Sequence, residues 1–138
     1  MGAWGIGNFE NDSALDWLSN FLDKPERTAM EEPFNAVLNA TDFIDSEESF
    51  ATLAASEIIA ASGNLPCKDF PNDISLEELK PFIKVEIISK AIKAIYKILH
   101  FENHSELREL WEESDDYENW IAVQNDLIKR LKQCLVNV

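Results

Sequence analysis

Apolar residues recur at intervals of three and four between residues 85 and 99. These intervals place the side chains on one face of an α-helix and predict a long helix that ends near His100. Because further apolar residues widen this face, we expect this helix to be the central and most buried one. The predicted face consists of Val85, Ile88, Ile92, Ile95 and Leu99, widened by Ile87, Ala91 and Ile98.

Similar spacing predicts helices before and after this segment. We place their ends at residue types that cap or break helices. In the first helix, the residues of one buried stripe are Ala14, Leu15, Leu18, Phe21 and Leu22. The predicted helices run from Asn11 or Asp12 to Pro25, from Glu26 to Ala40, from Ser46 to about Ser62, from Ser105 to Glu113, and from Ser114 or Asp115 onward.

Single residues support some of these helix ends. Ser46 is the predicted N-cap of the third helix, and Gly63 is the residue expected to stop it. Ser75 and Glu78 have the spacing of a capping box, which predicts a short helical turn. No alternating run of residues requires a strand. The sequence therefore predicts an all-α fold, with a single compact domain of five to seven helices over residues 1–138.

The first seventeen residues combine glycines with large aromatic residues. Glycine suits positions where the backbone has a positive φ or passes close to another element. Trp4 and Phe9 carry large apolar surfaces that favour burial. We therefore expect residues 1–8 to form an irregular but ordered arm, which Trp4 and Phe9 attach to the helical body. If Trp4 is buried, its replacement by Ala costs about 3–5 kcal/mol.

This segment reads MGAWG-x-G-x-F-E-N-D-x-A-x-D-W, and it resembles the start of the bacterial proteins grouped as domain of unknown function 4259. The resemblance continues at residues 54–61 and 105–113 and at Trp120. It implies a small bacterial protein of a family without an assigned activity, so no catalytic residue follows from it. The motif residues of unknown role are Gly2, Trp4, Gly5, Gly7, Phe9, Asn11, Asp12, Asp16 and Trp17.

The composition is typical of a globular protein, with 46% hydrophobic and 28% charged residues in a chain of 138. No apolar run approaches the roughly 20 residues that cross a bilayer, and the N-terminus lacks the features of a secretory signal. We therefore expect a cytoplasmic protein without membrane contact. In that compartment, Cys67 and Cys134 are expected to be free thiols.

The formal net charge of −14 narrows the choice of partners. It results from 26 acidic and 12 basic residues. Nucleic acid binding requires a basic surface, so we expect no nucleic acid partner. A negative surface instead favours a basic protein partner. Nothing in the sequence indicates the oligomeric state.

Eight acidic residues accompany one base between residues 102 and 118. One interpretation is a solvated surface, because exposed charges are common and add little stability. The other is an interaction face that docks a basic partner, with aromatic residues as anchors. The residues of this predicted interaction face are Glu109, Trp111, Glu112, Glu113, Asp115, Asp116, Tyr117 and Trp120.

Two histidines form a pattern that partly resembles a metal site. His100 and His104 are four residues apart, which can place two ligands on one helical face. The zinc motif H-E-x-x-H requires Glu where this chain has Phe101. Glu57 and Glu86 are the carboxylates that could face into the bundle. Since neither pattern meets the requirements of a known site, we predict no metal, no cofactor and no catalytic residue.

The leading hypothesis from the sequence is a non-enzymatic protein that acts through protein–protein contact, for example as an acidic inhibitor or an immunity-type partner. It depends on the charge, on the lack of catalytic motifs and on the family resemblance. The alternative is a metal-binding helical bundle or a metal-dependent hydrolase, which the histidine pair and the inward carboxylates motivate.

Overall fold

A computed structural model describes residues 2–138, and it contains six α-helices, two short 3₁₀ helices and two very short strands. The prediction of an all-α fold with five to seven helices is therefore confirmed. Met1, the first residue of the predicted arm, lies outside the described residues. The elements are α1 (Asp12–Asp23), α2 (Arg27–Asn39), β1 (Phe43–Ile44), α3 (Ser46–Ser62), the 3₁₀ helices Leu76–Glu78 and Lys80–Phe82, α4 (Val85–His100), β2 (His104–Ser105), α5 (Glu106–Glu112) and α6 (Tyr117–Asn137).

Helix α3 lies at the centre of the fold and packs against α1, α2, α4, α5 and α6. Every residue from Ser49 to Ser62 is buried. Small side chains such as those of Ala54 and Ala55 allow the neighbouring helices to approach its backbone closely. The prediction that the helix ending near His100 is the most buried one is therefore wrong. That helix, α4, keeps one face in solvent, whereas α3 is surrounded.

Helices α4 and α1 each bury a narrower face than their spacing predicts. In α4, Val85 is exposed and Ile92 is half-buried. In α1, Leu15 and Leu22 are exposed. These side chains lie at the border of the apolar stripe or at a helix end, where no neighbouring helix covers them. The buried residues are Ala14, Leu18 and Phe21 in α1, and Ile87, Ile88, Ala91, Ala94, Ile95, Ile98 and Leu99 in α4.

The helix N-termini follow the predictions in part. Asn11 caps α1 as predicted, since its Oδ1 accepts a backbone N–H of the first turn at 2.7 Å. Asp45, not Ser46, caps α3, because the Asp45 carboxylate accepts two backbone N–H groups. Ser75 and Glu78 form no capping box. Ser75 makes no side-chain cap bond, and the segment that follows it forms only a 3₁₀ turn.

Gly63 ends α3 as predicted, and it also permits a close contact between helices. Its φ is −89°, so the left-handed conformation falls on the next residue, Asn64, with a φ of 67°. A Cβ atom at position 63 would lie 2.5 Å from Cys134 Sγ. Gly63 therefore allows α6 to pass close to the end of α3.

The strands β1 and β2 pair in parallel, with Phe43 opposite His104 and Ile44 opposite Ser105. Two residues are too few to produce an alternating pattern, so the sequence did not predict them. Their pairing connects the α2–α3 loop to the α4–α5 loop. The Ser105 hydroxyl donates to the Ile98 carbonyl oxygen at 2.7 Å and does not cap α5.

Most basic side chains contact other groups within the fold. Lys97 Nζ donates to the Leu38 carbonyl oxygen at 3.0 Å, near the C-terminus of α2. Arg108 Nη1 donates to the Phe101 carbonyl oxygen at 2.8 Å, at the end of α4. Both contacts are favourable because helix C-termini attract positive charge. Several lysines and arginines form intramolecular ion pairs, and Arg108 is one of them. These residues are Lys24, Arg27, Lys80, Lys90, Arg108 and Arg130.

Candidate functional site

Residues 2–11, which we call the arm, form a hydrogen-bonded loop before α1. Ala3 pairs with Asn11 in an isolated antiparallel bridge. The Trp4 N–H donates to the Glu10 carbonyl oxygen at 3.0 Å, and the Glu10 N–H donates to the Gly7 carbonyl oxygen at 3.0 Å. The arm is therefore irregular in conformation but held by its own backbone.

The Glu10 carboxylate lies over this loop and close to two of the motif glycines. Its Oε1 accepts the Gly7 N–H at 3.0 Å. A Cβ atom at Gly7 would lie 2.5 Å from the same oxygen, and one at Gly5 would also collide with the carboxylate. Larger side chains at these positions would displace Glu10. Gly2 has a φ of 76°, which glycine adopts without strain.

The two aromatic residues of the arm differ in burial. Phe9 is buried, and its ring packs edge-on against Phe70 with the ring centroids 5.7 Å apart. Trp4 is 59% exposed. The prediction that Trp4 attaches the arm to the helical body is therefore wrong. Because the loop turns back on itself, the indole lies outside, while Asn8 and Phe9 are buried.

Asn8, Glu57, Gln124 and Arg130 form a hydrogen-bonded group between the arm, α3 and α6, which we call the polar cluster. Asn8 Nδ2 donates to Glu57 Oε2 at 2.8 Å and to Gln124 Oε1 at 3.1 Å. Gln124 Nε2 donates back to Asn8 Oδ1 at 2.9 Å. Buried polar groups need such partners because they have lost their contact with water. These bonds connect the arm to two helices.

Arg130 neutralises the Glu57 carboxylate, which is only 1% exposed. Nη1 donates to Oε1 at 2.8 Å, and Nη2 donates to Oε2 at 3.3 Å. The same guanidinium donates to Asp126 and to the Leu65 carbonyl oxygen. Burial alone lowers the pKa of Arg130, but the hydrogen bonds and charge of Glu57 raise it above its usual value. Arg130 therefore stays protonated.

The sequence pattern indicates only part of the polar cluster. Of the two carboxylates that could face into the bundle, Glu57 does so, whereas Glu86 is exposed. Nothing local indicates the cluster contacts of Asn8 and Arg130, because their partners within the polar cluster lie 49 to 116 residues away. Gln124 does have one: it is a polar residue on the face of α6 that buries Trp120 and Leu127.

A cavity of about 600 Å³, which we call the arm cavity, opens beside the polar cluster. Residues 6–10 of the arm, residues 66–69 and part of α6 form its walls. Cys67 lies among them, and burial together with the charge of Glu57 raises the pKa of its thiol to about 12. The thiol is therefore protonated at neutral pH. Cys67 and Cys134 are both free cysteines, as predicted.

A second concavity, of about 460 Å³, lies between α1, α2 and the first turn of α3, and we call it the acidic groove. Its lining contains five carboxylates and no lysine, arginine or histidine. The carboxylates on α1 and α2 face the carboxylates at the start of α3. The carboxylates are those of Asp16, Glu32, Asp45, Glu47 and Glu48.

Apolar residues complete the lining of the acidic groove. Trp17 stacks on Phe21, with the ring centroids 5.1 Å apart and the planes 8° from parallel. Pro33 adds a further apolar surface from α2. Asp16 and Trp17 both belong to the N-terminal motif, whereas Asp12 is exposed in the first turn of α1 and does not line the groove.

Burial and mutual repulsion both act on one carboxylate of the acidic groove. Burial, together with the negative charges of Asp45 and Glu47, raises the pKa of Glu48 above its usual value. A positively charged group in the groove would relieve this repulsion. The groove therefore favours cations over neutral or negative ligands.

The aromatic residues of the predicted interaction face lie mainly in the core. Trp111 and Trp120 are 6% and 1% exposed, and they stack with their ring centroids 6.0 Å apart. Because α5 and α6 turn them inward, they cannot serve as surface anchors, and that part of the prediction is wrong. Tyr117 is half-buried and stacks on Trp120 at 6.4 Å.

The carboxylates of this face are only partly available. Glu109 Oε1 lies 3.2 Å from His104 Nδ1, and Glu112 Oε1 lies 3.7 Å from Arg108 Nε. The remaining members of the face, all of them exposed, are Glu113, Asp115 and Asp116. A role in partner binding stays a prediction for these carboxylates.

The two histidines do not share a helical face. His100 is the last residue of α4 and stacks on Tyr96, whereas His104 belongs to β2. Across residues 2–138, no group of three or more His, Cys, Asp or Glu residues is arranged to hold a metal ion. Likewise, no helix in this range combines the length and the apolar character needed to cross a membrane.

Comparison with known proteins gives a family and no activity. A family model described as domain of unknown function (DUF4259) matches residues 2–123, which is most of the chain. The resemblance of the chain to this family is thereby confirmed. No curated protein and no solved structure matches the chain.

Proposed function

We propose a function for this chain, which belongs to the family described as domain of unknown function (DUF4259), from the geometry of its own residues. The protein is a non-enzymatic interaction module that docks a basic segment of a protein partner in the acidic groove. In this proposal it acts in the bacterial cytoplasm, as an acidic inhibitor or an immunity-type partner.

The observation that carries this proposal is a groove with five carboxylates and no base in its lining. Three of these carboxylates have a local structural explanation. Asp45 caps α3, and Glu47 and Glu48 lie in its first turn, where the helix dipole favours negative charge. Asp16 and Glu32 have no such role, because they lie within α1 and α2. Their negative charges can therefore bind a basic group of a partner protein.

The apolar part of the lining favours a peptide segment over a simple ion. Lysine and arginine side chains carry long apolar stems that pack on apolar surfaces while their charged ends reach carboxylates. Trp17, which is half-buried and stacks on the buried Phe21, provides such a surface, and indoles also attract cations. A segment with basic and apolar residues therefore matches the groove better than a metal ion or a polyamine.

The overall charge supports the same type of partner. The net charge is −14, and most basic side chains are already engaged in internal contacts. The acidic surplus therefore remains at the surface. A field of this sign accelerates the approach of a basic partner and opposes that of nucleic acid.

Peptide binding to matched charge variants tests the proposal. The probe is a synthetic peptide of about twelve residues that alternates lysine or arginine with leucine, and calorimetry measures its affinity. A groove variant combines Asp16→Asn, Glu32→Gln and Glu48→Gln. A control variant removes the same number of exposed carboxylates elsewhere, through Glu113→Gln, Asp115→Asn and Glu118→Gln. We expect the groove variant to bind at least about tenfold more weakly than the control.

Two outcomes contradict the proposal. Equal weakening in both variants indicates diffuse attraction to the total charge, and stronger weakening in the control assigns binding to the predicted interaction face. Melting temperatures of both variants close to that of the unsubstituted protein show that the comparison concerns folded protein. No observation among residues 2–138 favours the metal-dependent alternative.

A further inference from the structure

We propose that the arm cavity is a second binding site, which takes a small organic molecule carrying an amidinium or guanidinium group on an apolar body. No residue lines both the arm cavity and the acidic groove. The inference therefore does not depend on the proposed function, and either can fail alone.

The size and the walls of the arm cavity suit a small organic molecule. Its volume of about 600 Å³ lies within the range of roughly 300–1,000 Å³ that ligand sites typically have. Ile6, Phe9 and Val123 supply apolar wall. Glu10 and the polar cluster hold the arm in place before any ligand arrives. A preformed wall avoids the entropic cost of ordering a loop on binding.

The polar groups that remain available around the cavity are mainly carboxylate oxygens. Glu10, Asp69 and Asp126 line it. Within residues 2–138, Glu10 and Asp126 each use one oxygen in a hydrogen bond and have no bond on the other. Of the two bases in the lining, Arg130 already donates to two carboxylates and a carbonyl oxygen, which leaves Lys68. Acceptors with negative charge therefore outnumber available cationic donors.

A planar cation with several N–H groups matches this arrangement. Carboxylates bind amidinium and guanidinium groups through short, charge-assisted hydrogen bonds that are often paired. The apolar body of such a ligand gains free energy by leaving water for the apolar wall. An anion would instead meet Glu10 and Asp126 and would compete with Glu57 for Arg130. The geometry therefore selects a cation.

Benzamidine and benzamide form a matched pair of probes, because they have nearly the same shape and differ in charge. Calorimetry with the full chain measures both affinities. We expect benzamidine to bind at least about tenfold more tightly than benzamide. Binding should shift the backbone amide resonances of residues 6–10 and 67–69 and leave those of the acidic groove unchanged.

Two pairs of variants locate the site. Ala122→Trp fills the cavity mouth from an exposed position, so the protein still folds, and Asn125→Trp adds the same side chain outside the lining. We expect at least about tenfold weaker benzamidine binding for the first and no change for the second. Asp126→Asn should likewise weaken binding more than Asp115→Asn, although each removes one negative charge.

A second pair of ligands tests whether the cationic group belongs to a free small molecule or to an arginine side chain of another protein. Acetyl-arginine amide and its uncharged citrulline analogue represent a protein side chain. If benzamidine binds more tightly than acetyl-arginine amide, the result supports a free small molecule as the ligand. If acetyl-arginine amide binds more tightly, the small molecule is ruled out in favour of an arginine side chain of another protein. No benzamidine binding at millimolar concentration, equal binding of benzamide, or equal binding to Ala122→Trp and Asn125→Trp overturns the site itself.

Discussion

At the arm cavity, the buried Glu57 carboxylate meets a guanidinium 2.8 Å away, whereas five carboxylates of the acidic groove meet no base in its lining. The difference follows from exposure. A buried charge without a partner is strongly destabilising, so Glu57 requires Arg130. Most groove carboxylates are exposed, and water screens their repulsion at little cost in stability. The buried pair of Glu57 and Arg130 therefore stabilises the fold. The exposed carboxylates of the acidic groove have no base in its lining.

The largest expected effect comes from removing the partner of the buried carboxylate. Arg130→Ala leaves Glu57 without its counter-charge and should lower the free energy of unfolding by about 3–5 kcal/mol in urea titrations. Lys129→Ala changes an exposed neighbour and should stay within about 0.5 kcal/mol. A loss below about 1 kcal/mol for Arg130→Ala would mean that water or another group neutralises Glu57.

A smaller effect is expected for the amide that joins the arm to the helices. Asn8→Ala leaves Gln124 short of two hydrogen bonds and Glu57 short of one, which should cost about 1–3 kcal/mol. Asn125→Ala removes an exposed amide on α6 and is the matched control. Equal stability of the two variants in urea would show that the hydrogen bonds of Asn8 contribute nothing to folding.

Trp4 should contribute little to stability, because its side chain is 59% exposed. We expect Trp4→Ala to change the free energy of unfolding by less than about 0.5 kcal/mol. Trp120→Ala, at a fully buried indole, should cost about 3–5 kcal/mol. If Trp4→Ala costs as much as Trp120→Ala, the arm must adopt another conformation in solution.

The smallest effect concerns Glu48, which is both partly buried and repelled by neighbouring carboxylates in the acidic groove. The pKa of Glu48 is raised in the folded protein, so its ionised form destabilises the fold at neutral pH. Glu48→Gln should therefore raise the melting temperature at pH 7. This gain should vanish as the pH falls below the usual glutamate pKa of about 4.3, where the carboxyl is protonated in both states. A gain that persists at pH 3, or one that Glu113→Gln reproduces, would point to general charge reduction.

Local sequence signals predicted the helices well. Asn11 at the start of α1, Gly63 at the end of α3 and the apolar spacing of α4 each act through residues a few positions away. The central position of α3 was missed for a physical reason. Its alanines and small polar residues are buried on all sides, so they produce no amphipathic pattern, whereas the strong apolar face of α4 suggested a burial that only half of that helix has.

The candidate sites were less predictable than the helices. Composition favoured burial of Trp4, but its exposure depends on the path of the arm, which Glu10 and two backbone hydrogen bonds set. Asp16 and Trp17 were recognised in the N-terminal motif, yet their meeting with Glu32 and Glu48 depends on helix packing. Pairing between distant residues leaves no periodic trace in a single sequence.

The reciprocal amide bonds between Asn8 and Gln124 connect positions 116 residues apart. During synthesis, the ribosome adds Asn8 to the chain 116 residues before it adds Gln124. At about 5–20 residues per second, that interval lasts roughly 6–23 seconds. Throughout it, the arm has no α6 to dock against. Translation order therefore makes the docking of the arm one of the last steps in the maturation of this protein.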